Sequence, residues 1–248
     1  MPDAVFDYVD AIAEHGEGFA RAAEGNLDAG VEHCPGWNVA DLVWHLTEVH
    51  WFWATIVEER LTEPPDESRR PERAGPDRLI EKFRKGAERL VHVLERTPDD
   101  ARVWTWAPAQ QDVAFVARHQ VQEAAVHHWD AVHAKGGDLE IELPVAVDSI
   151  AEFLTFSVSS EADPADPPRP ALDGKLVFAC SDADAAWTVS DGGTPGTLRM
   201  SDGKATRAPV IKAPASDLLL WLYQRVDVPV GDNVAELAAR FRALTFTD

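Results

Sequence analysis

The chain has 248 residues, of which 45% are hydrophobic and 27% are charged, with a formal net charge of −20. This composition is typical of a globular protein with one large domain or two smaller ones, and the negative charge would repel the phosphates of nucleic acid. No apolar run is long enough to span a bilayer, and the N-terminus lacks the pattern of a signal peptide. Two cysteines are too few for a disulfide framework or a cysteine-ligated metal site. We therefore expect a cytoplasmic protein with no membrane or nucleic-acid partner.

Four long amphipathic helices are predicted in the first part of the chain, because apolar residues recur at helical spacing in each segment. Asp3 and Asn38 are predicted N-caps, and Pro76 is predicted to lie in the first turn of the third helix. The predicted helices cover residues 3–24, 38–62, 76–96 and 111–135. Four such segments in succession predict a helix bundle.

The character of the sequence changes in the second part. A fifth helix is predicted over residues 143–158, and four prolines within residues 161–174 indicate a linker. The apolar period then changes to two, which predicts short strands, followed by two more helices. The strands are predicted over residues 175–180, 186–190, 197–201 and 208–213, and the helices over 216–225 and 234–243. The sequence therefore predicts a bundle over residues 1–160 and a small α+β domain over residues 175–248.

Three side chains on two of the predicted helices have the chemistry of a metal site. His45 lies on the apolar side of the second helix, whereas Glu123 and His127, four residues apart, project from one face of the fourth. One carboxylate and two imidazoles can hold a divalent ion and leave a fourth position for water or substrate. Burying these groups without an ion would be costly. We therefore consider a catalytic metal site made by these three residues.

Spacing alone leaves other interpretations open. A single histidine on an apolar face is more often a core residue, and a Glu–His pair four apart is often a surface contact. His119 and His50 fit the geometry of a ligand as well, whereas His128 points about 100° away from the face of the pair. Asp41 and Asp130 either orient the ligand rings or are ordinary acids on helix surfaces, and the second interpretation is favoured.

Cys34 lies in the motif His33-Cys34-Pro35-Gly36-Trp37. A nucleophilic cysteine needs a nearby base, but side chains adjacent in sequence rarely face each other. A packed thiol is therefore favoured over a nucleophile activated by His33.

Three motifs together resemble the mycothiol-dependent maleylpyruvate isomerase family: Cys34-Pro-Gly-Trp37, Val39-Ala-Asp-Leu-Val-Trp-His45-Leu and Glu123-Ala-Ala-Val-His127-His-Trp-Asp130. The resemblance implies a DinB-like four-helix bundle joined to a smaller α+β domain. It also implies a divalent metal, usually zinc, held by the residues that match His45, Glu123 and His127.

In the same family, an arginine that ends a leucine-rich helix of the C-terminal domain is implicated in activity, and Arg225 matches it by resemblance. Two positions depart from the family pattern. Gln122 stands where a histidine is frequent, and His128 stands where an arginine is frequent. The departures leave the ligands in place but alter the lining of the pocket, so the resemblance does not fix the substrate.

The resemblance implies an isomerase or S-transferase that uses mycothiol and acts on a small electrophile bearing a carboxylate. The thiol would fill the fourth metal position, and Arg225 would hold the carboxylate. The alternative is a non-catalytic metal- or ligand-binding protein built on the same bundle. Two histidines and a glutamate suit zinc, nickel or iron, and a monomer or a homodimer is expected.

Overall fold

The computed structural model describes residues 6–158 and 169–245. The chain forms two compact units, which divide between Ile141 and Glu142. The first unit contains four long helices: α1 (Tyr8–Ala23), α2 (Val39–Glu59), α3 (Pro76–Arg96) and α4 (Val113–His133). Because α1 and α2 each pack against both α3 and α4, the four helices form a bundle. The predicted fold class is confirmed for this unit.

Local capping chemistry explains where these helices begin. The Asp7 carboxylate accepts the N–H groups of Val9 and Asp10, so α1 begins at Tyr8 rather than at the predicted start near residue 3. The predicted cap itself, Asp3, lies outside the described residues. Asp112 caps α4 in the same way, since its carboxylate accepts the N–H of Phe115 at 2.9 Å.

Large apolar side chains fill the centre of the bundle. Phe19 of α1 and Phe83 of α3 are completely buried, and their ring centroids lie 4.9 Å apart. Leu42 and Leu46 of α2 belong to the same cluster. Each such side chain contributes about 1.5–3 kcal/mol by leaving water, so packing of the amphipathic faces holds the four helices together.

Two glycines in α1 give a matched test of helix packing. A Cβ atom on Gly18 would lie 2.3 Å from the ring of His128 on α4, whereas one on Gly16 would meet the Cβ of Ala87 at an ordinary 3.9 Å. We expect Gly18→Ala to lower the free energy of unfolding by about 1–2 kcal/mol, because the His128 ring must move. Gly16→Ala should raise it by about 0.5–1 kcal/mol through helix propensity. Urea unfolding measures both, and equal effects would contradict the packing described.

The second unit combines helices with one sheet. Its helices are α5 (Leu143–Phe156), α6 (Ala215–Leu222) and α7 (Asp232–Arg242), and its strands are β1 (Lys175–Cys180), β2 (Ala186–Asp191), β3 (Leu198–Asp202) and β4 (Val210–Ala213). The strand order is β3-β2-β1-β4, with β4 parallel to β1 and the other pairs antiparallel. Helix α6 packs on β1 and β4, and α5 packs on α6 and β3. The predicted α+β character is confirmed.

Residues 161–168 of the predicted linker, which spans 161–174, lie outside the described part of the chain. Its described end is fixed to β2, because the N–H groups of Leu172 and Gly174 donate to the Asp191 carboxylate at 2.8 and 3.2 Å. Helix α5, predicted as part of the bundle domain, belongs to the second compact unit. The domain bounds remain a prediction. Among the described residues, no helix is both long and apolar enough to cross a membrane.

Candidate metal centre

The start of α2 fixes the position of His45. The Asn38 side chain accepts the N–H of Asp41, and the Asp41 carboxylate accepts the N–H of Asn38, both at 3.0 Å. Arg73 donates to the same carboxylate at 2.7 Å. Asp41 is therefore a capping residue at a helix surface, as the sequence favoured. One turn further along, the side chain of His45 is 25% exposed while the neighbouring Leu42 is buried.

Helix α4 brings Glu123 and His127 to the same place. Nε2 of His45 lies 3.0 Å from Oε1 of Glu123, and Nε2 of His127 lies 3.5 Å from the same oxygen. The two imidazole rings are 5.2 Å apart between centroids and stand at 79° to each other. The structure thus brings all three side chains together, with one ligand atom from each within 4.8 Å of the others. Their role as metal ligands remains a prediction.

The spacing of these atoms fits a tetrahedral ion. Two ligand atoms that each lie about 2.0–2.1 Å from such an ion are roughly 3.3 Å apart. The separations of 3.0 Å to His45 and 3.5 Å to His127 bracket that value. Two nitrogens and one carboxylate oxygen are also the donor set of catalytic zinc sites. The donor set and these two separations are therefore compatible with a divalent ion.

Asp130 is buried, whereas the sequence favoured an acid on the helix surface. Its residue is 2% exposed, and its Oδ2 atom lies 2.9 Å from Nδ1 of His127. In the neutral ring, Nδ1–H donates to this carboxylate, which leaves the lone pair of Nε2 directed at the cluster. The spacing of three residues between His127 and Asp130 indicated a contact on α4, but spacing alone does not show which side of a helix is buried.

Charge couples the members of the cluster. Burial raises the pKa of Glu123, but hydrogen bonds from His127 and His45 outweigh this effect and hold the pKa well below its usual value. Burial lowers the pKa of His127, while the hydrogen bonds to Asp130 and Glu123 oppose it and raise the pKa to about 9. Two buried carboxylates therefore create a negative environment that favours positive charge, whether on an imidazole or on an ion.

The cluster meets solvent on the side of His45, its most exposed member. The ring of Trp37 lies 5.2 Å from the ring of His45, and Trp37 is 38% exposed. The motif that contains Trp37 thus stands beside the candidate centre.

His119, an alternative ligand on spacing grounds, lies elsewhere. It stacks on Phe115 with ring centroids 5.5 Å apart and contacts the rings of Trp53 and Trp106. Gln122 lies 2.9 Å from its Nδ1 atom. His119 therefore packs in an aromatic cluster. It belongs to neither of the two groups of described residues whose side chains could together hold a metal ion.

His128 also has another role. Its Nδ1 atom lies 3.2 Å from Nδ1 of His15 on α1. Burial lowers the pKa of His128 to about 4, and the charge of His15 acts in the same direction. The ring joins α1 to α4 as a neutral partner, away from the face that carries Glu123.

His50, the other alternative ligand, is a core residue. It is 2% exposed, and its Nδ1 atom has no hydrogen-bond partner within the described part of the chain. Burial lowers its pKa from 6.5 to about 4, opposed by the charge of Glu123 and assisted by that of His45.

His50 should make stability depend on pH. Unfolding restores its pKa to about 6.5, so between pH 6.5 and 4 the unfolded state binds more protons and stability falls as the pH falls. When the pH falls from 6.5 to about 4.5, we expect the free energy of unfolding of the metal-free wild type to decrease by about 2 kcal/mol more than that of the metal-free His50→Leu variant. Urea unfolding across this window measures the difference, and parallel curves for the two proteins would contradict it.

Cys34 lies in the loop between α1 and α2 and is partly buried against the bundle core. Neither Cys34 nor Cys180 forms a disulfide among the described residues. This placement agrees with the packed thiol favoured by the sequence.

Arg225 lies in the second unit, three residues beyond the end of α6. Gln224 adopts a left-handed conformation (φ 60°), and the N–H groups of Gln224 and Arg225 donate to the carbonyls of Trp221 and Leu220. This hydrogen-bond pattern ends the helix before the predicted position and turns the chain back. Arg225 is 6% exposed, and its Nη1 atom donates to the carbonyl of Tyr223 at 2.8 Å.

Comparison with known proteins supports the fold and the family. Residues 9–132, half of the chain, match the family model of the mycothiol maleylpyruvate isomerase N-terminal domain. A crystal structure of the mycothiol-dependent maleylpyruvate isomerase is similar with a TM-score of 0.61 and 15% identity, over 90% of this chain and 93% of that one. A structure of a mutant of that isomerase with one histidine replaced by alanine gives a TM-score of 0.59 and 14% identity, over 86% of each chain. No curated protein matches the sequence.

Proposed function

Because this chain belongs to the mycothiol maleylpyruvate isomerase family, we propose that it is a metal-dependent enzyme that uses a low-molecular-weight thiol, mycothiol, as cofactor. The reaction is an isomerisation or an S-transfer on a small electrophile that carries a carboxylate. The observation that carries this proposal is the convergence of His45, Glu123 and His127, of which the His45 side chain is 25% exposed to solvent.

The residues of the centre have distinct parts in this proposal. His45, Glu123 and His127 hold the ion, and Asp130 keeps the His127 ring in the tautomer that binds metal. When bound, a divalent ion supplies Lewis-acid chemistry and lowers the pKa of a coordinated thiol, which gives a thiolate at neutral pH. Zinc is the expected ion, since the donor set and spacing suit it. Trp37 lies beside His45, with the ring centroids 5.2 Å apart.

Arg225 is the proposed partner of the substrate carboxylate. Arg225 is buried, and the hydrogen bond from its Nη1 atom to the Tyr223 carbonyl at 2.8 Å restrains the guanidinium. We expect Arg225→Gln to raise KM for a carboxylate-bearing electrophile about tenfold, the value of one charged hydrogen bond. A neutral electrophile and the metal content serve as controls, because neither should change. Equal losses on both substrates would contradict the role.

Turnover is the test of the proposed function. The zinc-loaded protein is incubated with mycothiol and a panel of electrophiles that includes conjugated cis-enoates, epoxides and alkyl halides. An isomerase converts a cis-enoate to its trans isomer and returns the thiol, whereas an S-transferase consumes the thiol in equal amount with the electrophile. Either activity should depend on both zinc and mycothiol. Tight metal binding without turnover of any electrophile in the panel would instead support the alternative, a non-catalytic metal- or ligand-binding protein.

A further inference from the structure

A second group of side chains with metal-ligand chemistry lies where the loop between α1 and α2 meets the C-terminal end of α4. We call Glu32, His33 and His133 the helix-end cluster. Nε2 of His133 lies 3.0 Å from Oε2 of Glu32, and the rings of His33 and His133 are 5.7 Å apart between centroids. One ligand atom from each residue lies within 4.8 Å of the others.

An indole holds the two imidazoles in place. Trp129 stacks on His133 with ring centroids 4.5 Å apart and an angle of 12° between the planes. Its centroid also lies 5.8 Å from that of His33. Stacking on the indole restrains the His133 ring, which reduces the conformational entropy that metal binding would cost.

The backbone that carries Glu32 and His33 is also restrained. The N–H of Val31 donates to the carbonyl of Trp37 at 2.9 Å, and the N–H of Cys34 donates to the carbonyl of Val31 at 3.2 Å. Val31 is 5% exposed, which fixes the residue before Glu32 against the bundle. Two of the three side chains thus project from a closed turn rather than from a loose loop.

The location favours a cation and is separate from the first centre. His133 is the last residue of α4, where the helix dipole is negative. It follows His127 by six residues, which places it about 9 Å further along the axis and roughly 240° around it. One ion cannot contact both clusters.

We propose that the helix-end cluster is a second binding site for a divalent transition-metal ion. Two imidazoles and one carboxylate suit zinc or nickel, as at the first centre. The ion should exchange readily, because Glu32 is exposed. No described carboxylate other than Glu32 is close enough to belong to the cluster. Without a buried carboxylate to orient a ring, as Asp130 does for His127, the site should bind about 10–100-fold more weakly than the first centre.

The test is metal stoichiometry. Metal-free protein without an affinity tag is titrated with Zn²⁺ against a chromophoric chelator. The wild type should bind two equivalents, His45→Ala one, His133→Asn one, and the double variant none. His92→Asn, an exposed histidine on α3, is the matched control and should bind two. Glu32→Gln leaves the stacked rings untouched and should weaken only the second equivalent, by tenfold or more.

The outcomes separate this site from the proposed enzyme centre. A wild type that binds a single equivalent, lost in His45→Ala, would overturn the second site. So would a weaker equivalent that survives both His133→Asn and Glu32→Gln with unchanged affinity. A single equivalent lost only in His133→Asn would support the helix-end cluster and overturn the metal centre at His45. Circular dichroism of each variant establishes that the bundle is folded.

Discussion

Replacement of His45 by alanine is expected to abolish thiol-dependent turnover, with a loss of about 10³-fold or more. In the proposed centre, the variant keeps Glu123 and His127 but has one ligand fewer, so two side chains instead of three would hold the ion. Metal ions contribute several kcal/mol to such reactions, and each 1.36 kcal/mol corresponds to a factor of ten, which gives roughly this magnitude. Metal affinity at this centre should fall more than 100-fold, because substitution of residues that only orient the ligands already lowers metal affinity 10–100-fold.

The measurement combines steady-state rates with the metal retained after dialysis against a chelator of micromolar affinity. His92→Ala is the matched control, because it removes an imidazole from an exposed position on α3. It should retain both the rate and the tightly bound ion. A His45→Ala protein that is folded, holds its ion and turns over at the wild-type rate would refute the proposed centre.

Asp130 variants are expected to weaken metal binding without removing a ligand. Asp130→Asn keeps an oxygen that can accept the Nδ1–H of His127 but loses the charge, and should lower affinity about tenfold. Asp130→Ala leaves that buried N–H unpaired and should lower affinity about 100-fold. The graded order follows from the buried hydrogen bond at 2.9 Å.

Asp41→Asn is the matched control for this series, since Asp41 is the acid that precedes His45 by one turn. Its carboxylate bonds the N–H of Asn38 and the Arg73 guanidinium rather than an imidazole. The substitution should reduce stability by about 0.5–1 kcal/mol and leave metal affinity unchanged. If both asparagine variants weakened binding equally, Asp130 would not be the residue that orients His127. Competition titration with a chromophoric chelator gives the affinities.

The fold was predictable because its elements follow strong local patterns. Pro76 and the apolar stripe after it define α3, and the short apolar run at Lys175–Cys180 defines β1 with the bounds that the structure shows. The ends of the helices were harder to predict where two local sequence signals compete. Asp7 rather than Asp3 caps the first described turn of α1, and a left-handed Gln224 ends α6 before Arg225, although glycine is the usual residue at such a position.

The candidate site was predictable only in part. The spacing of Glu123 and His127 places them on one face, but no sequence rule shows that α2 lies against that face and brings His45 within 3.0 Å. The helix-end cluster depends in the same way on a long-range contact, since Glu32 and His133 are distant in the chain. The sequence favours a surface position for Asp130, because acids on helices are usually exposed, whereas its burial depends on how the helices of the bundle pack.

X-ray absorption spectroscopy of the protein with one equivalent of zinc, before and after addition of mycothiol, tests the central claim most directly. The account predicts a first shell of nitrogen and oxygen at about 2.0–2.1 Å with scattering from two imidazoles, joined by one sulfur at about 2.3 Å when the thiol is added. A shell that lacks two imidazoles, or one that gains no sulfur from mycothiol, would contradict it.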